Sequence, residues 1–234
     1  MKNIFLLLFF IATQNYSQSI EAIYTSAAIK AFGSASEGIS EVIKPKTFAY
    51  SYANEKSTYK LIPSQKSAID TSYIGQGGLK FVTYKEIRLP TTDITFKDLK
   101  SKVLQMEYTI AKKDFSAKEQ LIDYEWIIED ETIVINGFTC KKATTTKNLF
   151  PVTAWYCEEI PVNDGPSVYW GLPGLILKVE LGGYTTITLD KIKISKENLE
   201  IEEPKINDTQ FSVRGLYKNV KGYLDSISPT TKYK

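Results

Sequence analysis

The chain has 234 residues, of which 29 are Lys or Arg and 27 are Asp or Glu, giving a formal charge of +2. An imbalance this small, with the signs interspersed, excludes the strong basic field that nucleic acid or an anionic lipid surface selects. The sequence contains no histidine, so Ser-His-Asp and Cys-His catalysis are out of reach, as is any zinc site resting on imidazole.

Residues 1–19 read as a secretory signal: a positive charge at Lys2, an apolar run over 4–12, then small polar residues. That run is too short to cross a bilayer, and no Cys near the junction offers a lipid attachment point. The expected product, cut after Ser17 or Ser19, has no transmembrane segment and is extracytoplasmic, periplasmic or secreted without a lipid anchor. Residues 20–234 suffice for one domain with a sizeable core, and no repeat or low-complexity linker divides them.

Residues 20–34 carry two periods at once, so a helix and a first strand over 21–25 both stay open. Residues 46–52 and 57–62 flank Ala53-Asn54-Glu55-Lys56 as a hairpin, with Phe48, Tyr50 and Tyr52 on one face. Gly75-Gln76-Gly77-Gly78 leads into a strand over 79–89, ended by Pro90. Residues 103–110 and 121–128 alternate as half-buried strands. Glu129-Asp130-Glu131 reads as a polar turn into 132–135, and Asn136-Gly137 as a two-residue hairpin turn. After Gly182-Gly183, Ile187 and Leu189 share one parity and Ile192 and Ile194 the other, which predicts a bulge near Asp190. Beyond Pro204, Val213, Leu216, Tyr217, Val220, Tyr223, Leu224 and Ile227 recur at three- and four-residue intervals, predicting one amphipathic helix capped by Asp208 or Thr209 and ended by Pro229. The fold class is therefore mainly β: a single antiparallel, strongly curved sheet forming a half-open barrel, with one C-terminal helix. A β-sandwich is the alternative.

A turn centred on Asn148-Leu149 makes Cys140 and Cys157 direct cross-strand neighbours, with Ala143 opposite Ala154 and Lys142 opposite Trp155. In an oxidising compartment this register favours a disulfide; two buried or free thiols are the competing reading. Within residues 151–181, Leu172-Pro173-Gly174-Leu175 has the Pro and Gly placement of a type II turn. The segment Gly171-Leu172-Pro173-Gly174-Leu175-Ile176, with the flanks Trp155-Tyr156, Glu159-Ile160-Pro161 and Gly165-Pro166, resembles the signature of the GLPGLI family over about residues 123–181. The resemblance implies an exported protein of Bacteroidetes type with no settled activity, associated with TonB-dependent outer-membrane transport. It also implies that residues 21–25 form a strand.

Trp155, Tyr156, Tyr169 and Trp170 lie close together in sequence, and alternation sends the members of each pair to opposite faces. One of each pair is expected in the core and the other on a ligand or partner surface. Acidic clusters at Glu129-Asp130-Glu131, Glu158-Glu159 and Glu202-Glu203 are candidates for a two-carboxylate hydrolase but sit beside turn signals. Ser57-Thr58-Tyr59-Lys60 matches the Ser-x-x-Lys pattern, yet strand alternation sends its Ser and Lys to opposite faces. Asn163-Asp164-Gly165 reads as a turn, with calcium as the sharper alternative. The expectation is a non-catalytic binding or accessory protein of the cell envelope, without cofactor or metal, whose partner is an envelope protein or small ligand. A carboxylate-dependent hydrolase of glycan or peptide and a structural surface-interaction protein are the alternatives.

Overall fold

The computed structural model describes residues 18–28, 44–63, 68–76, 79–146, 150–206 and 211–227, with 68–76 and 79–87 described as backbone. Its strands are β1 (Ser19–Ala28), β2 (Lys46–Ala53), β3 (Lys56–Ile62), β4 (Ala68–Gln76), β5 (Leu79–Ile87), β6 (Pro90–Asp98), β7 (Val103–Ile110), β8 (Lys113–Gln120), β9 (Ile127–Ile135), β10 (Phe138–Thr145), β11 (Val152–Cys157), β12 (Leu175–Leu181) and β13 (Thr185–Ser195), followed by helix α1 (Val213–Ile227). Eleven strands form one antiparallel sheet in the order β8-β7-β6-β3-β2-β1-β13-β12-β11-β10-β9. The chain starts in the middle of the sheet at β1, meanders out to β8, crosses to the far edge at β9, and returns through β10–β13 to close on β1.

That crossing dictates curvature. A flat eleven-stranded sheet would hold its edges about 48 Å apart, whereas the linker 121–126 reaches at most about 25 Å. The sheet therefore curls, yet β8 and β9 do not pair, so it is an open, curved sheet and not the half-open barrel expected. Beside it, β4 and β5 form a separate two-stranded ladder, a departure from the single sheet expected.

Four hairpins turn on paired positive φ, the geometry whose twist matches that of the strands: Asn54-Glu55 (51° and 60°), Ala111-Lys112 (49° and 63°), Asn136-Gly137 (50° and 87°) and Gly182-Gly183 (52° and 72°). The predicted bulge at Asp190 is present, since Ile23 pairs with Lys191 and Tyr24 with Leu189. Two expectations are corrected. Residues 121–126 join no ladder, because they are spent bridging the open seam. Glu129-Asp130-Glu131 is not a turn but a bulge inside β9, where Lys141 pairs with Thr132 and Lys142 with Glu129.

Helix α1 buries Leu216 and Val220 against Met106, Ile110, Phe115 and Ala117 of β7 and β8. Full burial of such an aliphatic side chain contributes about 1.5–3 kcal/mol. Its cap is Ser212, whose Oγ accepts the Gly215 amide at 3.1 Å, while Glu119 Oε2 accepts the Val213 amide at 3.1 Å. The expected caps Asp208 and Thr209, and Pro229, lie outside the described residues.

Candidate functional site

The register defines one continuous inner face. Tyr50 lies opposite Tyr59, Tyr59 opposite Thr95, Thr95 opposite Met106, and Met106 opposite Ala117. At one end of this face the main core gathers Tyr24, Phe48, Tyr50, Tyr59, Trp155 and Leu177; at the other, α1 covers β7 and β8. Between the two apolar clusters β6 presents Asp93, Thr95 and Lys97, with Ser57 opposite Lys97 and Tyr108 opposite Asp93. A polar strip thus crosses the concave side of the sheet.

Lys97 is 1% exposed and Asp164 0%, and they meet at 2.5 Å. The Lys97 ammonium also donates to the carbonyls of Gly165 (2.6 Å) and Tyr169 (3.0 Å), so two hydrogen bonds support the ion pair. Tyr50 donates to the other carboxylate oxygen of Asp164 at 2.9 Å, and Tyr24 donates to Ile176 O at 2.9 Å. Burial pulls the Lys97 amine down and Asp164 offsets part of that; burial raises the Tyr50 hydroxyl, with Asp164 adding to it. The pair fastens the loop 158–174 onto β6. Asn163-Asp164-Gly165 lies in this loop with Asp164 turned inward, its Oδ2 accepting from Tyr50 and its Oδ1 facing Lys97.

Asp93 is different. Its carboxyl is partly buried, and it makes no hydrogen bond or ion pair with another described residue. Burial pushes it up to about 6, and the more distant Lys46 pulls it back only in part. Its charge reaches the hydroxyls of Tyr59, Tyr108 and Tyr217, contributed by β3, β7 and α1. Tyr108 and Tyr217 meet edge to face with ring centroids 6.4 Å apart, and burial raises the Tyr108 hydroxyl to about 12. Tyr59 is 4% exposed, stacked on Phe48 at 4.4 Å, and its hydroxyl has no hydrogen-bond partner. Tyr217 keeps 50% of its surface accessible, yet the protein around it desolvates its hydroxyl and raises it. The Tyr217 ring thus borders solvent while its hydroxyl is turned toward protein.

Two grooves lie apart from Asp93. One of about 690 Å³ runs between β8 and α1, past Lys113, Phe115, Phe211, Asn219 and Tyr223. Another, of about 450 Å³, lies between residues 200–205 and the outer face at Ser51, Thr58, Lys60 and Glu107. The acidic clusters proposed from sequence do not converge. Glu129 and Glu131 pair with Lys142 on β10, Glu158 with Lys141, and Glu203 with Lys56.

The aromatic candidates are drawn into the core. Trp155 (6% exposed) joins the main cluster; Tyr156 (0%) and Tyr169 (5%) join a second one with Ala143, Leu172 and Ile176. These three are core side chains, because the loop they carry or face is packed down on the sheet. Trp170 alone stays partly exposed: its indole donates to Ile122 O at 2.8 Å, the Trp126 indole donates to Trp170 O at 2.9 Å, and Lys102 lies over its ring. These bonds tie the linker 121–126 to the loop.

The Gly171 to Ile176 signature is likewise built inward, with Leu172, Gly174, Leu175 and Ile176 buried and Pro173 exposed. Gly171 has φ +92°, but Gly174 does not have positive φ, so the expected type II turn does not form. Gly174 is required for another reason: a Cβ there would lie 2.2 Å from Cys157 O and 2.5 Å from Cys157 C. Cys140 and Cys157 follow the predicted register, with Lys142 opposite Trp155 and Ala143 opposite Ala154. They are nonetheless free, fully buried thiols rather than a disulfide. Cys140 Sγ turns along its own strand to Phe138 O at 3.5 Å, and burial, with Cys157 adding to it, raises the thiol to about 12. Sequence reasoning missed the Asp93 cluster, whose members come from four elements with no common motif.

A family model described as "Protein of unknown function (Porph_ging)" matches residues 146–178, the segment that contains the loop and the start of β12. No curated protein matches the chain. Two solved structures of PNGF-II, in C2 and P21 crystals, share the fold. They have TM-scores of 0.53 and 0.52 at 15% and 17% identity, over 87% and 86% of this chain. This chain spans about a third of their length, 33% and 32%. At such identity the likeness shows the fold alone.

Proposed function

We propose that the chain is an exported, non-catalytic binding module of the cell envelope that receives a small ligand in the cleft between α1 and the 158–174 loop. The observation that carries this reading is Asp93: a partly buried, desolvated carboxyl with no hydrogen bond or ion pair to a described residue, opposite Tyr108 on β7 and acting on the hydroxyls of Tyr59, Tyr108 and Tyr217. Buried or half-buried charges inside a protein are ordinarily paired, and Lys97 and Asp164 on the same strip show how fully this chain pairs them. An acid left open beside aromatic rings has the make-up of a binding site. Export rests on the signal-like residues 1–19, and membership of the GLPGLI family, with its implied link to TonB-dependent transport, rests on residues 171–176 and their flanks.

A carboxylate hydrolase would need a second acid beside Asp93, and among the described residues the charge acting on Asp93 is the cation Lys46. A surface-interaction role is favoured by one separate feature: the edge strand β9 exposes Ile127 (66%), Ile128 (54%) and Val134 (70%).

The binding reading is tested by NMR titration of the purified protein with a panel of monosaccharides, amino acids and simple amines, following the ring resonances of Tyr59, Tyr108 and Tyr217. Shifts confined to the cleft, lost in Tyr217→Ala and without product formation, support it. Turnover of a panel member that Asp93→Asn abolishes would replace it with the hydrolase reading.

A further inference from the structure

The geometry points to an organic cation, a small alkylammonium group, as the ligand of this cleft, held by the Asp93 carboxylate and the rings of Tyr108 and Tyr217. This rests on the binding reading above and narrows it to one ligand chemistry.

Three observations carry it. First, Asp93 lacks the countercharge that its surroundings demand. Lys46 is felt at a distance, but no described cation lies within ion-pair reach, although Lys and Arg outnumber acids in the chain. A ligand that brings a positive charge supplies the missing partner; an anion would meet repulsion, and a neutral ligand would leave the desolvated charge uncompensated. Second, the groups around the carboxylate suit a cation. Tyrosine faces are electron-rich, and Tyr108 and Tyr217 stand edge to face at 6.4 Å, so they offer differently oriented π surfaces to one guest. Third, the site is small. Tyr59 and Tyr108 flank β6 on its two neighbouring strands, about 10 Å apart by strand spacing, which fits an ammonium head with a short alkyl arm rather than an extended chain.

The charged and titratable groups facing Asp93 are Lys46 from β2, Tyr59 from β3, Tyr108 from β7 and Tyr217 from α1, with Tyr169 of the loop acting on Tyr217. Of these, only Asp93 changes charge between pH 5 and 8. Binding of a cation therefore weakens as the pH falls through the Asp93 titration.

The experiment is a calorimetric and NMR titration of the full chain with tetramethylammonium and n-butylammonium, each set against a neutral partner of the same shape, neopentyl alcohol and n-pentanol, with methyl glucoside as a polyhydroxyl probe. At pH 7.5 the ammonium probes are expected to bind at least tenfold more tightly than the alcohols and to move the Tyr108 and Tyr217 resonances. Asp93→Asn, which preserves shape, is expected to weaken them at least tenfold, as is a change to pH 5; Tyr217→Phe, which keeps the ring, is expected to retain them. Equal affinity for cation and alcohol, or no effect of Asp93→Asn in a variant with native circular dichroism, overturns the inference. Binding of methyl glucoside at the same tyrosines without ammonium binding overturns it while leaving the binding reading in place. Silence from every probe removes both.

Discussion

Lys97 of β6 and Asp164 of the 158–174 loop form a completely buried ion pair, 2.5 Å apart, in which the ammonium also donates to the carbonyls of Gly165 and Tyr169. The loop carrying the signature segment is thus bolted to the opposite half of the sheet by one lysine. Removing a single partner strands a charge in the interior, which costs about 3–5 kcal/mol. Asp164→Ala and Lys97→Met are each expected to lower stability in urea denaturation by that amount. The double variant Lys97→Met/Asp164→Leu, which leaves no orphan charge, is expected to be clearly less damaged than the sum of the singles. Strict additivity would contradict the pairing.

The two glycines 174 and 222 are expected to respond in opposite directions. A methyl group at Gly174 collides with the Cys157 carbonyl at 2.2 Å, and backbone cannot step aside as a flexible side chain can. Gly174→Ala is expected to destabilise by about 1–3 kcal/mol or more. Gly222 lies within α1 with open space around it, so Gly222→Ala is expected to stabilise by up to about 1 kcal/mol. Thermal melts of both variants check this; equal effects would remove the steric account of the signature.

Cys140 and Cys157 are buried thiols on adjacent strands, and Cys140 is raised to about 12, so neither offers a thiolate at neutral pH. Alkylation of the native chain at pH 7.5 is expected to add no label. In denaturant without reductant it is expected to add two. Mass spectrometry reads the count directly, and an unlabelled denatured chain would show that the expected bridge forms after all.

What the sequence reveals, and what it hides, follows from where the information lies. Asn136-Gly137 announces its hairpin because both residues tolerate positive φ, whereas Ala111-Lys112 makes the same turn with residues that carry no such sign. Strand β8, Lys-Asp-Phe-Ser-Ala-Lys-Glu-Gln, is a polar edge strand with little apolar alternation to detect. The alternation of Ile122, Tyr124 and Trp126 is real but serves packing along an irregular crossing, with Tyr124 5.8 Å from Tyr169 and Trp126 bonded to Trp170. Gly174 resembles a turn residue in the sequence because sequence shows the absence of a side chain, not whether torsion or close approach demands it. The candidate cleft is silent for a stronger reason. Asp93, Tyr59, Tyr108 and Tyr217 are assembled only by strand order and by the docking of α1, so no local window contains the site.

Asp93 also marks stability. The folded chain holds its proton up to about pH 6, whereas an unfolded aspartate releases it near 3.8. Between those values the native state binds more protons, so this group's contribution falls as the pH rises from about 4 to 6 and is level above. Asp93→Asn removes the cost of the buried charge. The variant is expected to exceed the wild-type chain by about 1–3 kcal/mol at pH 7.5 and to match it near pH 3.5, as read from urea midpoints. A gain in stability together with a loss of ligand affinity would mark a residue kept for binding and not for folding.

The most direct test of an open, desolvated acid at the heart of the cleft is carboxyl ¹³C NMR of Asp93, assigned by comparison with Asp93→Asn and titrated with and without tetramethylammonium. The midpoint is predicted near 6 in the free protein and lower when the cation is present. A midpoint near 3.8 that the cation does not move would contradict the account.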